Sequence, residues 1–228
     1  LKDNLTAQIS QIPEIISVSQ TDLNPIANTG TGFAPYFSSL ALWIGALLIS
    51  MVMGRRVERK QLQGANGVNL TIGRYLFFAC AGILQAALLT GIIYALGIDV
   101  QSGFLTFLAL VVSALTSIAL VSTLIGIFGM FGQMLSMFLL IFQLTASGGT
   151  FPTELTQGGL FMALHPLVPF TYSLNALRET ISGAPMNGKI LAQSLAVQLA
   201  IALCAVIICA IIENLRGRKR TALAAIAA

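Results

Sequence analysis

Hydrophobic segments without charged residues alternate with short polar segments along most of the chain. A transmembrane helix needs about 20 consecutive apolar residues, because the hydrocarbon core of a bilayer is about 30 Å thick. Five segments meet or approach that length, at about residues 37–53, 75–98, 104–128, 134–150 and 190–212. This pattern predicts an all-α polytopic membrane protein with five transmembrane helices.

The third and fourth predicted spans come from one long uncharged run. No Asp, Glu, Lys or Arg occurs from Val100 to Thr153, a stretch of 54 positions, which is long enough for two helices. Glycines recur every three residues from Gly126 to Gly132. Because glycine weakens a helix interior, we expect the two helices to be separated between positions 126 and 133.

Basic residues cluster after the first and the last predicted spans. Cytoplasmic loops of membrane proteins carry an excess of Lys and Arg, so both segments are predicted to face the cytoplasm. With five spans, the N-terminal end of the membrane domain then lies outside the cell and its C-terminal end inside. Nine of the twelve basic residues belong to these segments: Arg55, Arg56, Arg59, Lys60, Arg74, Arg216, Arg218, Lys219 and Arg220.

The composition excludes a soluble domain and a nucleic-acid-binding protein. Charged residues make up 9% of the chain, against about 25% in an ordinary soluble domain, and 56% of the residues are hydrophobic. The net charge of +4 is explained by the Lys and Arg clusters beside the spans, so it indicates no nucleic-acid partner. The cysteines lie in apolar runs and are interpreted as small buried residues without disulfides: Cys80, Cys204 and Cys209.

The first 27 residues are polar and mixed, and two prolines interrupt them. We interpret residues 1–27 as the end of an extracellular region, residues 28–220 as the membrane domain and residues 221–228 as a tail. The chain begins with Leu1 rather than Met, and we expect it to be part of a longer protein. Asn28–Phe37 is rich in turn residues and aromatics, which predicts an irregular approach to the membrane interface.

No catalytic, cofactor-binding or metal-binding site is predicted, and we do not expect an enzyme. The segment 183–189 approaches the phosphate-binding loop pattern, but Ile190 stands where Ser or Thr would bind magnesium. Ser173, His165 and Glu179 are the residue types of a hydrolytic triad, but no nucleophile elbow surrounds the serine. The single histidine excludes a His-rich metal site. The absence of a carboxylate deep within a span disfavours an ion-coupled transporter.

Polar side chains inside the spans allow two interpretations. The structural one is interhelical hydrogen bonding, which contributes about 0.6 kcal/mol per bond on average. The functional one is a polar path for a transported substrate, and Gln85 and Gln143 are the residues that we assign to it. The sequence alone leaves both interpretations open.

The loop after the first span is predicted to lie at the cytoplasmic interface. Residues 54–63 suit a short amphipathic helix in the plane of the membrane surface. The segment is interpreted either as a docking site for a cytoplasmic motor protein or as a place where basic side chains contact lipid headgroups. Its charged residues are Arg55, Arg56, Glu58, Arg59 and Lys60.

A second informative region follows the fourth span on the outer side. Two glycines and a proline end that helix at membrane depth, and irregular backbone there must be buried in protein or line a cavity. This predicts an external re-entrant helical region, in which Leu174, Leu177 and Ile181 share one face of a helix. The candidate residues of the region are Gly148, Gly149, Pro152, His165, Pro166, Pro169, Arg178 and Glu179.

Two segments resemble the YhgE/Pip family of bacterial membrane proteins. They are residues 28–46, which begin NTGTGFAPYF and end LWIGA, and residues 165–179, which begin HPLVPFTY and end LRE. The second segment is also similar to type-2 ABC transporter permeases. The resemblance implies six helices per subunit, the first separated from the rest by a large extracellular domain, with this chain as the C-terminal membrane portion. It also implies that Arg55–Gln63 is a coupling helix for ATPase subunits and that residues 147–188 are the external re-entrant region.

Two functions follow from these expectations. The first is a permease subunit of an ABC-type exporter, a homodimer that moves a lipid, a peptide or another envelope-directed substrate while a separate partner hydrolyses ATP. The second is a membrane anchor, scaffold or receptor that transports nothing, since the family includes a protein linked to phage infection and an accessory protein of type VII secretion. Both imply a multi-pass protein of the bacterial plasma membrane.

Overall fold

The computed structural model describes residues 29–54, 67–147, 165–182 and 185–227. Within these ranges the regular structure is entirely helical, which confirms the predicted all-α class. A 3₁₀ turn and a π-helical turn flank the fifth helix, at His165–Leu167 and Arg178–Ser182. The α-helices are α1 (Thr29–Gly54), α2 (Gly67–Ala95), α3 (Gly103–Phe128), α4 (Met130–Ala146), α5 (Pro169–Leu177) and α6 (Gly188–Ala227).

Four of these helices contain segments that are long and apolar enough to cross a membrane. α4 is a further apolar helix, but its 17 residues span about 25 Å at about 1.5 Å per residue, less than the roughly 30 Å of a bilayer core. The fifth crossing therefore stays a prediction. The four candidate spans are Thr29–Val52, Thr71–Ala95, Gly103–Phe128 and Gly188–Gly217.

α3 is the central helix of the bundle. In its membrane-crossing window 61% of the residues are buried inside the protein, against 22 to 50% in the other three candidate spans. Small and hydroxyl side chains recur along α3, and such residues let neighbouring helices approach one another closely in a membrane. α1, α2, α4 and α6 all pack against α3.

The long uncharged run is divided at Gly129, inside the predicted stretch 126–133. Gly129 ends α3 and precedes α4 with a φ angle of 62°, a left-handed conformation that glycine adopts without the steric penalty of a Cβ atom. α4 then returns along α3, and a Cβ atom at Gly132 would overlap the carbonyl oxygen of Leu124. This hairpin thus needs glycine twice, once for the turn and once for the close approach.

α1 begins at Thr29, eight residues before the predicted start of the first span at Phe37. The prediction that residues 29–37 are irregular was therefore wrong, and even Pro35 lies inside the helix. The physical reason is tertiary packing. Tyr36 is 8% exposed and packs edge-on against Phe170, with 5.8 Å between the ring centroids, and this burial outweighs the local turn signals.

α6 extends well beyond the predicted final span, 190–212. The helix is continuous from Gly188 to Ala227, so it includes the basic cluster and nearly all of the predicted tail, 221–228. Alanine has the highest helix propensity of all residues, and the chain is rich in alanine after residue 221. The tail is thus a continuation of the last helix.

The prediction that the three cysteines are buried was wrong for two of them. Cys80 and Cys204 lie on exposed helix faces, Cys209 is buried, and all three are free. Lipid tails are as apolar as a protein core, so an apolar run can face either. Hydrophobic neighbours in the sequence therefore do not decide whether a side chain packs inside the bundle.

Polar contacts distinguish the two ends of the bundle. At one end Arg216 donates from Nη1 to the carbonyl oxygen of Gly126 at 3.2 Å, and a Cβ atom on that glycine would lie 3.3 Å from Nη1 of Arg74. At the other end the N–H of Gln101 donates to the carbonyl oxygen of Thr180 at 2.8 Å. Arg74 and Arg216, both predicted to be cytoplasmic, therefore share one end. The side of the membrane that this end faces stays a prediction.

Candidate functional site

α5 is buried although it is too short to cross a membrane. Its nine residues span about 13 Å at about 1.5 Å each, and seven of them are buried against α1, α3, α4 and α6. Leu174, Leu177 and Ile181, predicted to share one face, are all buried, and none is more than 3% exposed. Leu174 packs with Tyr36 and Phe170, whereas Leu177 and Ile181 belong to a separate cluster, so the shared face stays a prediction. Within the described part of the predicted re-entrant region, α5 is thus a helix enclosed by the other helices.

The 3₁₀ turn before α5 is attached to the end of α4. Nδ1 of His165 lies 2.7 Å from the carbonyl oxygen of Ala146, the last residue of α4. The hydroxyl of Thr171 donates to the carbonyl oxygen of His165 at 2.9 Å, and that of Tyr172 to the carbonyl oxygen of Pro166 at 2.8 Å. These bonds hold the start of α5 against α4 and stabilise the predicted His–Pro turn.

The π-helical turn after α5 is attached to the starts of α3 and α6. The carbonyl oxygen of Thr180 accepts from the N–H of Gln101 at 2.8 Å and from the hydroxyl of Thr106 at 3.4 Å. Oε2 of Glu179 accepts from the N–H of Asn187 at 2.6 Å, immediately before α6. The segment that contains α5 is therefore fixed at both of its ends.

α5 reaches the middle of the bundle. The hydroxyl of Ser173 donates to Oε1 of Gln198 at 3.0 Å, and the hydroxyl of Thr116 donates to the backbone carbonyl of the same glutamine at 3.2 Å. Gln198 lies ten residues after Gly188, about 15 Å along α6. Ser173 and Gln198 are distant in sequence and belong to different helices, so only the fold reveals that they are partners.

Three side chains near this level are buried with polar atoms that have no hydrogen-bond partner among the described residues. Gln143 on α4 is fully buried, and both of its amide atoms lack a partner. The hydroxyl of Ser113 on α3 and Nε2 of Gln198 on α6 are in the same situation. An unsatisfied buried donor or acceptor costs about 1–3 kcal/mol, so this group of side chains needs a physical explanation.

Helical spacing along the α3–α4 hairpin leads us to expect Gln143 and Ser113 at matching levels. Gly132 of α4 contacts Leu124 of α3 directly. Gln143 lies eleven residues after Gly132, and Ser113 lies eleven residues before Leu124. Eleven residues are about three helical turns, so each side chain returns to the face on which the two helices meet, at matching levels.

Gln85, the other residue assigned to a polar path, lies between α1 and α2, and its Oε1, like Nε2 of Gln198, has no hydrogen-bond partner among the described residues. Its Nε2 donates to the carbonyl oxygen of Ala41 on α1 at 2.9 Å. A Cβ atom at Gly45 would overlap the Gln85 amide, so the absence of a side chain there admits the glutamine. This hydrogen bond joins α1 and α2. It is the kind of interhelical bond that the structural interpretation of the polar residues in the spans expects.

The three residues considered as a triad have separate partners. Ser173 donates to Gln198, Nδ1 of His165 lies against the carbonyl oxygen of Ala146, and Glu179 accepts from the N–H of Asn187. Each of the three side chains thus has its own structural contact, and none of these contacts is with another of the three.

Several predicted site residues lie outside the described residues. They include the whole coupling loop and the first part of the re-entrant region. Arg178, in contrast, lies on the exposed side of the π-helical turn, and Pro169 is the first residue of α5. The undescribed candidates are Arg55, Arg56, Glu58, Arg59, Lys60, Gly148, Gly149 and Pro152.

Comparison with known proteins gives one distant relative. The chain is 29% identical over 163 residues to a protein of Bacillus subtilis (strain 168) named "Uncharacterized protein YhgE". The match covers 70% of this chain but 20% of the relative, so the chain spans about a fifth of the relative's length. No family model and no solved structure matches the chain. The sequence match, with the apolar helices described above, supports a YhgE-like family and a membrane-associated role.

Proposed function

We propose that this chain is the membrane domain of a permease subunit of an ABC-type exporter, acting as a homodimer in the bacterial plasma membrane. The exported substrate is a lipid, a peptide or another envelope-directed molecule. No nucleotide-binding motif occurs in the chain, so the proposal assigns ATP hydrolysis to a separate cytoplasmic subunit.

The observation that carries the proposal is α5. α5 is buried in the bundle without crossing it. Its Ser173 bonds Gln198 of α6, and the backbone of Gln198 accepts from Thr116 of the central helix. Such a helix resembles the interrupted helices from which transporters build substrate paths. A purely structural anchor needs no such segment, because continuous helices satisfy all their backbone groups alone.

The proposed topology has five spans. In it, α4 and the α5 segment attached to its end together cover the thickness of the membrane. The end that contains Arg74 and Arg216 faces the cytoplasm, in accordance with the positive-inside rule. α1 ends at Gly54 and α2 begins at Gly67, and the proposal assigns the coupling helix to the chain between them, on the cytoplasmic side.

The test is to purify the protein from its native membranes in mild detergent and to look for an accompanying ATPase. We expect a stoichiometric ATPase that crosslinks to a photoreactive side chain introduced at Arg59. Charge reversal of Arg55, Arg56 and Arg59 to Glu should abolish this association without reducing the yield of folded protein. A matched control reverses the same number of charges at Arg218, Lys219 and Arg220.

The opposite outcome favours the second function. Isolation without an ATPase, under conditions that preserve the complex of a known permease, would contradict the transporter proposal. The protein would then be a membrane anchor, scaffold or receptor, and reversal of the charges between residues 55 and 60 would leave its activity unchanged.

A further inference from the structure

Four helices contribute polar side chains to one level of the bundle. Ser113 and Thr116 come from α3, Gln143 from α4, Ser173 from α5 and Gln198 from α6. Hydrogen bonds connect Ser173 and Thr116 to Gln198 directly. Ser113 is one turn of α3 from Thr116, and helical spacing from the contact of Gly132 with Leu124 leads us to infer that Gln143 lies opposite Ser113.

Several buried polar atoms of this group make no hydrogen bond. Both amide atoms of Gln143, the hydroxyl of Ser113 and Nε2 of Gln198 have no partner among the described residues. Each of the three residues is at least 99% buried, so bulk solvent does not compensate them. Buried polar groups are nearly always satisfied by protein or by an ordered molecule.

The surroundings of the group are uncharged. Residues 100–153, 169–177 and 190–212, which contain all five members, include no Asp, Glu, Lys or Arg. A bound ion in such a place would lack a counter-charge, and isolated charges in a membrane interior are costly. The donors and acceptors of two amides and a hydroxyl instead match a neutral hydrogen-bonding molecule.

We propose that Gln143, Ser113 and Gln198 form a binding site for a neutral hydrogen-bonding group in the middle of the membrane. Water occupies the site in the resting protein, and a hydroxyl or an amide of the cargo replaces it during export. The identity of the second occupant rests on the proposed function, whereas the hydration of the site does not. The site would favour a cargo whose group at this site is polar and uncharged over a cargo whose group there is charged.

The first test is the reactivity of a cysteine at Ser113. In a background with Cys80, Cys204 and Cys209 changed to Ala, Ser113→Cys and the control Val121→Cys are treated with a small, water-soluble methanethiosulfonate. Thiol reactivity requires the thiolate, which forms poorly in a dry apolar core. Val121 is fully buried on the same helix in an apolar cluster. We expect at least tenfold faster modification at position 113, and equal rates would overturn the proposal.

The two occupants are distinguished by repeating the labelling in native membranes and after purification. If the cysteine at position 113 reacts at the same rate in native membranes and after purification, water is the occupant in both preparations. A slower rate in native membranes that rises on purification indicates a cargo group that is lost with the lipids. Both outcomes support the neutral site, whereas labelling that is no faster than at position 121 in both preparations contradicts it.

A second test needs no cysteine. Gln143→Met keeps the length of the side chain and removes its amide. If an occupant satisfies the amide, the substitution lowers the melting temperature. If the amide is buried dry and unpaired, the substitution leaves the melting temperature unchanged or raises it, which would overturn the proposal. Gln193→Met, at an exposed position of α6, is the matched control.

These tests separate the site from the transporter function. Labelling and melting require neither an ATPase nor transport. A dry site in a protein that associates with an ATPase would overturn only the site, and a hydrated site in a protein without an ATPase would overturn only the permease proposal.

Discussion

Ser173 on the short helix α5 donates a 3.0 Å hydrogen bond to Oε1 of Gln198 on α6. Both side chains are at least 95% buried, and the bond links a helix that is too short to cross a membrane to one that is long and apolar enough to do so. This hydrogen bond shows how deeply α5 lies in the bundle, and the proposed function rests on that position.

Removing this hydrogen bond should destabilise the bundle measurably. Ser173→Ala leaves Oε1 of Gln198 without its donor, and an unsatisfied buried acceptor costs about 1–3 kcal/mol. We expect a reduction of that size in the free energy of unfolding, measured by unfolding in SDS–detergent mixtures. Tyr172→Phe removes a partly exposed hydrogen bond to Pro166 and should cost less. An equal effect of the two substitutions would contradict the buried role of Ser173.

Arg216 stabilises the C-terminal end of α3. Its guanidinium donates to the carbonyl oxygens of Gly126 and Ile127 at 3.2 and 2.7 Å, where the negative end of the helix dipole favours a cation by about 0.3–1 kcal/mol. Arg216→Gln should therefore lower the free energy of unfolding by about 1 kcal/mol once the lost hydrogen bonds are included. The measurement is SDS-induced unfolding at low salt.

The control for this substitution keeps the arginine and removes its carboxylate neighbour. Glu213 lies 3.5 Å from Arg216, whose side chain is 39% exposed, and partly exposed ion pairs contribute about 0–1 kcal/mol. Glu213→Gln should therefore have the smaller effect. If Glu213→Gln were the more damaging change, the ion pair rather than the helix end would explain the role of Arg216.

The close approach of α4 to α3 predicts a strong effect at Gly132. A Cβ atom there would overlap the carbonyl oxygen of Leu124, and overpacking of this kind costs about 1–3 kcal/mol. Gly132→Ala should therefore lower the melting temperature and shift α4 relative to α3. The changed distance is measurable by disulfide crosslinking between cysteines on the two helices.

Two other glycines provide the matched control. No atom lies within 4 Å of a Cβ position at Gly73 or Gly91, and both are inside α2. Gly73→Ala and Gly91→Ala should be neutral or stabilising by up to about 1 kcal/mol, because alanine favours the helix. Destabilisation equal to that of Gly132→Ala would show that the effect is not steric.

Asn187 caps the N-terminus of α6. Its Oδ1 accepts from the backbone N–H groups of Lys189 and Ile190 at 3.1 and 3.4 Å, and its own N–H donates to Glu179. Loss of such a cap costs about 1 kcal/mol, so Asn187→Ala should speed amide hydrogen exchange in the first turn of α6. Asn187→Asp retains the acceptor and should leave the exchange rate near that of the native protein.

The sequence determined the features that depend on chain composition and local periodicity. Its uncharged apolar runs required a helical membrane protein, because only structures that satisfy their own backbone hydrogen bonds are stable in lipid. The glycines from 126 to 132 predicted where the long run divides, since the turn at Gly129 needs a φ angle of 62°. The burial of Leu174, Leu177 and Ile181 agrees with the helical spacing of these three positions.

Only the tertiary structure decided which polar side chains meet and which apolar faces are covered. Turn-forming residues before Phe37 become helical because Tyr36 packs against Phe170. The spacing within one helix carries no information on its neighbours. The sequence therefore could not predict that Ser173 bonds Gln198 or that the amide of Gln143 has no partner among the described residues. Both features arise because α3, α4, α5 and α6 pack together and bring distant positions near one another, where buried polar groups without water must find partners in the protein or bind another molecule.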